Sequence, residues 1–303
     1  MPSELQDDIL LTRRTGLTLL SPTFVFVGLF LLFPFAWVVV ISFTDRTLLG
    51  AGAANPQFIG LDNFRQLFDT QTWMHSGEFG RSLVLTSYFV IASLAGQVTL
   101  GLGIALAFHR RKGLLRETIF TLVTLAWILP ETAIAFTWTS FLDPSGTLNT
   151  FLAALGLPQP DWLLDAPMAS IVMFNIWRGT AFSMLLFSAA LGNVRPSYLE
   201  TADVLGANAW QRFRDILLPM IRPQLTTAII LVTLWTFNVF TPFLLTQGGP
   251  AFRTDIMAIH TYRIAFRYFE FGLGSAIAVI VMLINFVLAA IYLFALKRGE
   301  ATR

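Results

Sequence analysis

"RPSYLETADVLGANAWQRFRDILLPMIRP" (195–223) is a wet interval in an oily chain. It carries Arg195, Arg212, Arg214 and Arg222 together with Glu200, Asp203 and Asp215. On either side lie long apolar runs, 168–191 and 222–246. Spanning the hydrocarbon of a bilayer takes about 20 mostly apolar residues, so both flanks are long enough to cross. The charged interval then reads as a connector between two membrane spans.

Working outward, four more stretches have the same character: roughly 17–43, 82–108, 118–141 and 274–296. The composition agrees. Of 303 residues, 55% are hydrophobic and 13% charged, against about 25% charged in soluble domains. Mean hydropathy is +0.67. The apolar run within 17–43, "LLSPTFVFVGLFLLFPFAWVVVISF", exceeds the roughly 7–15 residues of a signal-peptide core, and we read it as a retained helix. Spans must be helical, because an open strand leaves backbone groups unpaired in lipid. The fold class expected is all-α: a polytopic membrane protein with six transmembrane helices. The sequence shows no internal repeat.

Basic residues give the sidedness. One set of connectors and ends holds Arg13, Arg14, Arg110, Arg111, Lys112, Arg116, Arg195, Arg212, Arg214, Arg222, Lys297, Arg298 and Arg303. The alternate set holds only six (Arg46, Arg65, Arg81, Arg253, Arg263 and Arg267), mixed with nine acids. Both termini and the 195–223 connector are therefore expected in the cytoplasm, with 44–81, 142–167 and 247–273 outside. The expected organisation is a cytoplasmic segment 1–16, a membrane domain 17–296 and a cytoplasmic tail 297–303.

Within the connector, Ser197 and Glu200 have capping-box spacing. Tyr198, Leu199, Ala202, Leu205, Gly206 and Ala209 fall along one helical stripe, and Pro219 is expected to stop a second turn before the fifth span. Such a helix can lie flat on lipid, act as a solvated connector with Glu200 only a cap, or dock on a cytoplasmic partner.

Chemistry inside the spans is sparse. Ionisable groups there cost roughly 2.5–3.5 kcal/mol at mid-helix, which singles out Glu131 and Arg178. They either form an intramembrane ion pair or leave Arg178 on a solute path. Asn238 and Asn285 are candidates for interhelical hydrogen bonds. Pro130 and Pro242 permit kinks. Three classes of chemistry find no support. There is no cysteine, and His75, His109 and His260 are scattered without metal-ligand spacing. No phosphate-cradling G-x-x-x-x-G-K-[ST] occurs. The net charge of +2 is too small to suggest a nucleic-acid partner.

The frame Glu200-Thr201-Ala202, Gly206, Ile216, Leu218, Pro219 resembles the EAA loop of ATP-binding-cassette importer permeases, with Thr201 departing from the usual first alanine. Four further segments resemble carbohydrate-uptake permeases related to the maltose and glycerol-phosphate systems: "LFPFAWVVVISFTD" (32–45), "FIGLDNFRQLF" (58–68), "DPSGTLNTFLAALGLPQPDWLLDAP" (143–167) and "LLTQGGPAFRTDIMAIHTYRIAF" (244–266). Together they cover nearly the whole chain in order.

The resemblance implies a type I importer permease in a bacterial or archaeal plasma membrane. Its coupling helix would lie near 197–213, with Tyr198, Leu199, Glu200, Thr201, Ala202, Asp203 and Gly206 meeting a cytoplasmic ATPase. Ala202 and Gly206 would allow close approach. "WRGTAF" (177–182) would place Arg178, Gly179 and Phe182 on the solute path, joined by Trp235 and Asn238, although Trp235 also reads as a packing aromatic. The implied partners are a second, different permease, two ATPase copies, an external solute-binding protein and a sugar or glycerol-phosphate solute. The chain itself would be no enzyme and would carry no cofactor, with ATP and magnesium held by the ATPase. The competing class is a self-sufficient ion-coupled transporter, for which Glu131 is the one candidate coupling acid. A membrane-embedded glycosyl-transferring enzyme would need clustered acids, which the sequence does not offer.

Overall fold

The computed structural model describes residues 13–69 and 78–301. Most of the segment expected at 1–16, the end of the tail expected at 297–303, and His75 lie outside the described residues. Those described are helical apart from loops and one isolated antiparallel bridge, Thr44 with Phe58. Five helices are long and apolar enough to cross a membrane, or six if a sharply bent pair counts as one span.

The chain forms two compact units. The first runs to Phe68 and includes Arg263–Ile280. It opens with α1 (Arg13–Val27), a π-helical turn (Gly28–Leu32) and α2 (Phe33–Ile41). Short helices α3 (Ala51–Ala54) and α4 (Asp62–Phe68) follow. Asn63 organises this unit. Its buried carboxamide donates to the carbonyls of Ser42 and Thr44, both at 2.9 Å. Backbone bonds from Leu48 N to Phe269 O (3.0 Å) and from Gly272 N to Arg46 O (2.8 Å) hold the second segment in place.

The second unit contains α5 (Glu78–Phe108), α6 (Leu114–Ile128), α7 (Glu131–Leu142), α8 (Thr147–Ala154) and α9 (Pro167–Gly192). After them come α10 (Pro196–Val204), α11 (Ala209–Gln211), a π-helical stretch (Arg212–Leu217) and α12 (Leu218–Phe237). Helices α13 (Phe243–Thr246) and α14 (Met257–Tyr262) precede the long α15 (Phe271–Ala301), whose residues from Val281 onward belong here. One core cluster joins Phe89 of α5, Trp138 of α7, Phe174 of α9 and Phe237 of α12. Another joins Ala105, Phe187, Leu191 and Ile221 to Leu199 of α10.

Three expectations need correction. The third span, expected over 118–141 with a kink permitted at Pro130, breaks outright at Leu129–Pro130, and the helices on either side are bent by 107°. Leu129 is extended (φ −60°, ψ 146°), because a residue before proline is pushed out of the helical region. The fifth span, expected over 222–246, begins at Ala209 and ends at Phe237. Pro219 does not stop it: the amide of Leu218 reaches back to the carbonyl of Phe213, a π-type i→i+5 bond, and the helix continues past the proline. Finally, Ser197 is not a cap. Pro196 takes the first helical position behind Arg195, with no side-chain cap bond. Proline suits that position because its missing N–H would have no intrahelical partner there. The capping box forms instead at Asn208, whose Oδ1 accepts from Gln211 N at 2.9 Å while Gln211 Oε1 accepts from Asn208 N at 2.8 Å.

Candidate functional site

On α9, Arg178, Gly179 and Phe182 fall within four residues of one another, so they share a helix face. They meet Gln97 of α5, Trp127 of α6, and Val232, Trp235 and Thr236 of α12 around one cavity, with Asn175 and Val239 completing the wall. Gly179 is there for space: a Cβ would collide with the Gln97 carboxamide. That close approach lets Gln97 Nε2 donate to the carbonyl of Asn175 at 3.0 Å. Trp127, Phe182 and Trp235 form a tilted aromatic triangle with ring centroids 5.8–6.0 Å apart. The cavity's volume is about 30 Å³, room for about one water molecule.

Electrostatics at the site centre on one ion pair. Arg178 Nη2 donates to Glu131 Oε1 at 2.5 Å, and Thr241 Oγ1 donates to Glu131 Oε2 at 2.8 Å. The Arg178 side chain is 11% exposed and that of Glu131 is 52% exposed. Glu131 is the first residue of α7, directly after the break at Pro130. Arg178 Nε and Asn175 Nδ2 are buried without a hydrogen-bond partner.

Of the residues assigned to a solute path from sequence, Arg178, Gly179, Phe182 and Trp235 line the cavity, and Asn238 does not. Asn238 is paired with Asn285 of α15 through reciprocal carboxamide bonds of 3.0 and 3.2 Å. Trp177 faces a larger apolar groove of about 760 Å³ with Leu100, Val123, Leu129 and Trp138. Sequence reasoning missed Gln97, Trp127, Asn175 and Thr236. Gln97 and Asn175 were findable by the rule that singled out Asn238: amides inside apolar spans seek partners. The aromatic and aliphatic walls carry no such signal.

A second candidate surface lies on α10. Leu199 and Ala202 are buried against the bundle, whereas Tyr198, Val204 and Leu205 are exposed. Glu200 and Thr201 are exposed too, and among the described residues the Glu200 carboxylate has no partner. Asp203 accepts from Arg110 at 3.3 Å and from Arg212, tying α10 to the α5–α6 connector and to the π-helical stretch. Desolvation of Asp203 acts to raise its pKa, but the bonds and charges of Arg212 and Arg110 hold the carboxyl below its ordinary value. Gly206 sits at φ +75°, and a Cβ there would meet nothing within 4 Å. Its amide bonds to Asp203 O at 3.1 Å and that of Ala207 to Ala202 O at 2.9 Å, the paired bonds of a left-handed helix stop. Within this chain the glycine is required by backbone geometry, not by close approach. For the same reason Leu205 and Gly206 leave the stripe that a continuous helix would have formed.

The connectors expected outside are pinned by the polar residues of their motifs. Asn149 Nδ2 donates to Pro144 O (3.2 Å) and Pro160 O (2.9 Å), while its Oδ1 accepts from Trp162 Nε1 at 2.9 Å. Arg253 donates to Leu164 O at 3.0 Å and Asp165 O at 3.1 Å.

Residues 97–298, which carry both surfaces, match the family described as binding-protein-dependent transport system inner membrane component. The chain belongs to that family. It is 32% identical over 295 residues to the inner membrane ABC transporter permease protein YcjO of Escherichia coli (strain K12), with 93% of each chain covered. The sulfoquinovosyl glycerol transport system permease protein SmoG of Agrobacterium fabrum is 28% identical, covering 93% of this chain and 90% of that one. Among solved structures, a chain of a bacterial ABC transporter involved in the import of the acidic polysaccharide alginate superposes with a TM-score of 0.80. That match has 23% identity and covers 97% of this chain and 98% of the other. It establishes the helical fold of this permease. Family membership makes the chain a multi-pass permease subunit of the inner membrane.

Proposed function

We propose that this chain is the transmembrane subunit of an ATP-driven importer that carries a sugar or sugar-like solute into the cytoplasm by alternating access. One observation carries the reading: Arg178, Gly179, Phe182 and Trp235 converge with Trp127, Gln97 and Asn175 on a single cavity between α5, α6, α9 and α12. Sugar sites combine apolar walls with a few well-placed polar groups, and aromatic faces cover the apolar side of a pyranose. The carbohydrate class is supported by what the relatives' names say of those proteins: sulfoquinovosyl glycerol for SmoG and starch degradation products for AmyD of Thermoanaerobacterium thermosulfurigenes. A cavity of about 30 Å³ is too small for any sugar, since ligand pockets run to roughly 300–1,000 Å³. Transport then needs a second conformation in which the helices part.

The lever for that motion is α10, on the cytoplasmic face. Its outer surface offers Tyr198, Glu200, Thr201 and Gly206 to a cytoplasmic ATPase. Its inner surface transmits displacement to α5, α9 and α12 through Leu199, which belongs to their shared core. ATP and magnesium bind in two ATPase copies, a second and different permease completes the membrane part, and an external binding protein delivers solute to the opposite face. The complex captured through this chain and reconstituted in vesicles should accumulate solute only with ATP, and collapse of the proton and sodium gradients should leave uptake unchanged. Uptake that follows an ion gradient without ATP would establish the ion-coupled class instead, with Glu131 as coupling acid.

A further inference from the structure

We propose that the cavity selects a saccharide bearing an acidic group, and that Glu131 is a stand-in which this group displaces from Arg178. The inference rests on the reading of the cavity as part of the solute path and names the solute's chemistry. A guanidinium presents Nε–H and Nη2–H side by side, matched to the two oxygens of one carboxylate, sulfonate or phosphate. Here that edge is half used. Glu131 places Oε1 on Nη2 at 2.5 Å but gives Oε2 to Thr241 at 2.8 Å. Nε is left buried and unpartnered, and so is Asn175 Nδ2, both on residues that line the cavity. Asn175 is 6% exposed. Both unpartnered buried groups are donors and call for acceptors. A neutral sugar brings hydroxyls that both donate and accept, whereas an acidic group brings two adjacent acceptor oxygens and a negative charge.

The position of Glu131 makes exchange feasible. It is more exposed than Arg178, lies just past the 107° break, and keeps Thr241 as a partner when Arg178 lets go. Swapping one anion for another keeps the guanidinium paired, which avoids the heavy cost of a buried unpaired charge. A neutral solute in the place of Glu131 would leave the guanidinium without a counter-charge.

The test uses the complex captured through a tag on this chain and held in nanodiscs, and reads the part of the tryptophan fluorescence change that Trp127→Phe and Trp235→Phe remove from the signal of the chain's eight tryptophans. The probes are digalacturonate against its dimethyl ester and glycerol 3-phosphate against glycerol, so carboxylate and phosphate sources are separated. At least one acid should bind about tenfold tighter than its neutral counterpart, a difference of roughly 1.4 kcal/mol. Glu131→Gln, which keeps a hydrogen-bond acceptor for Thr241, should tighten that acid several-fold, and Arg178→Gln should abolish the preference. Arg178→Lys retains the charge without the fork and should lower the preference only in part, so a poorly folding Arg178→Gln does not decide the matter. Neutral probes that bind as well as the acids, or weaker acid binding in Glu131→Gln, would overturn the acidic preference while leaving the solute path intact. Should neither class perturb the fluorescence while ATP-driven uptake persists, the cavity lies off the path and both readings fall.

Discussion

At the scale of single residues, the same side-chain type plays different parts depending on what its helix faces. Asn63, Asn149 and Asn238 are all asparagines at or near apolar segments, and each is spent on holding backbone or a neighbouring helix. The sequence left Asn238 open between the solute path and an interhelical bond, and named Asn285, 47 residues away, as a second candidate for such bonds; the structure pairs the two. A double-mutant cycle of Asn238→Ala and Asn285→Ala should show a coupling of about 0.6 kcal/mol, with about 1.7 as the ceiling for such pairs. Thermal denaturation in detergent measures it, and additive losses would break the pair. If Asn238 lies off the path, the single variant should leave the KM for uptake unchanged. Trp235→Ala, which removes a cavity wall, should raise that KM about tenfold or more with little change in stability, since the ring is 48% exposed and only buried aromatics cost several kcal/mol on truncation.

At the scale of elements, α10 is defined by its two ends and by one acid. Pro196 starts it and Gly206 ends it. Gly206→Ala forces an L-residue into the left-handed region at a cost of roughly 1–2 kcal/mol, and Gly206→Asn should be milder because asparagine tolerates that region. Hydrogen exchange over 196–204 should rank wild type, asparagine and alanine in that order of protection, with ATPase coupling falling in step. Asp203 adds a pH dependence of known sign. Its folded pKa lies below the ordinary value of 3.8, so its tethering of α10 is present above that value and lost as pH falls through the depressed one. Protection factors over 196–204, exchange rates divided out by the intrinsic pH-dependent rate, should therefore be flat from pH 5 to 8, approximately the range in which an aspartate stays ionised, and Asp203→Asn should loosen α10 within that range. A loss of protection setting in near pH 6 would exclude Asp203 as its cause. The EAA frame marked this element in the sequence; the capping-box spacing misled, because Pro196 outcompetes Ser197 for the start of the helix.

At the scale of the whole molecule, the working proposal is a lever at one face and a small cavity within the bundle. Cysteines introduced at Tyr198 or Val204, in a chain that has none of its own, should cross-link to a cytoplasmic ATPase in native membranes. Failure of both positions to capture an ATPase, with uptake intact, would remove α10 as the coupling element. The sequence by itself determined that the chain is helical and membrane-spanning, because apolar length and the need to satisfy backbone groups in lipid leave few alternatives. It also determined where the charged connector falls and which motifs place the chain among importer permeases. Tertiary structure alone decided which polar groups meet: Arg178 with Glu131 and Thr241, Gln97 with Asn175, Asn238 with Asn285. It likewise decided that the third span bends by 107° at Pro130 and that the fifth runs through Pro219. Helical periodicity gives the face of each helix, but partner choice depends on crossing points, on glycines that admit a neighbour, and on a π-type turn that shifts register. Those are properties of packed helices, and no single segment encodes them.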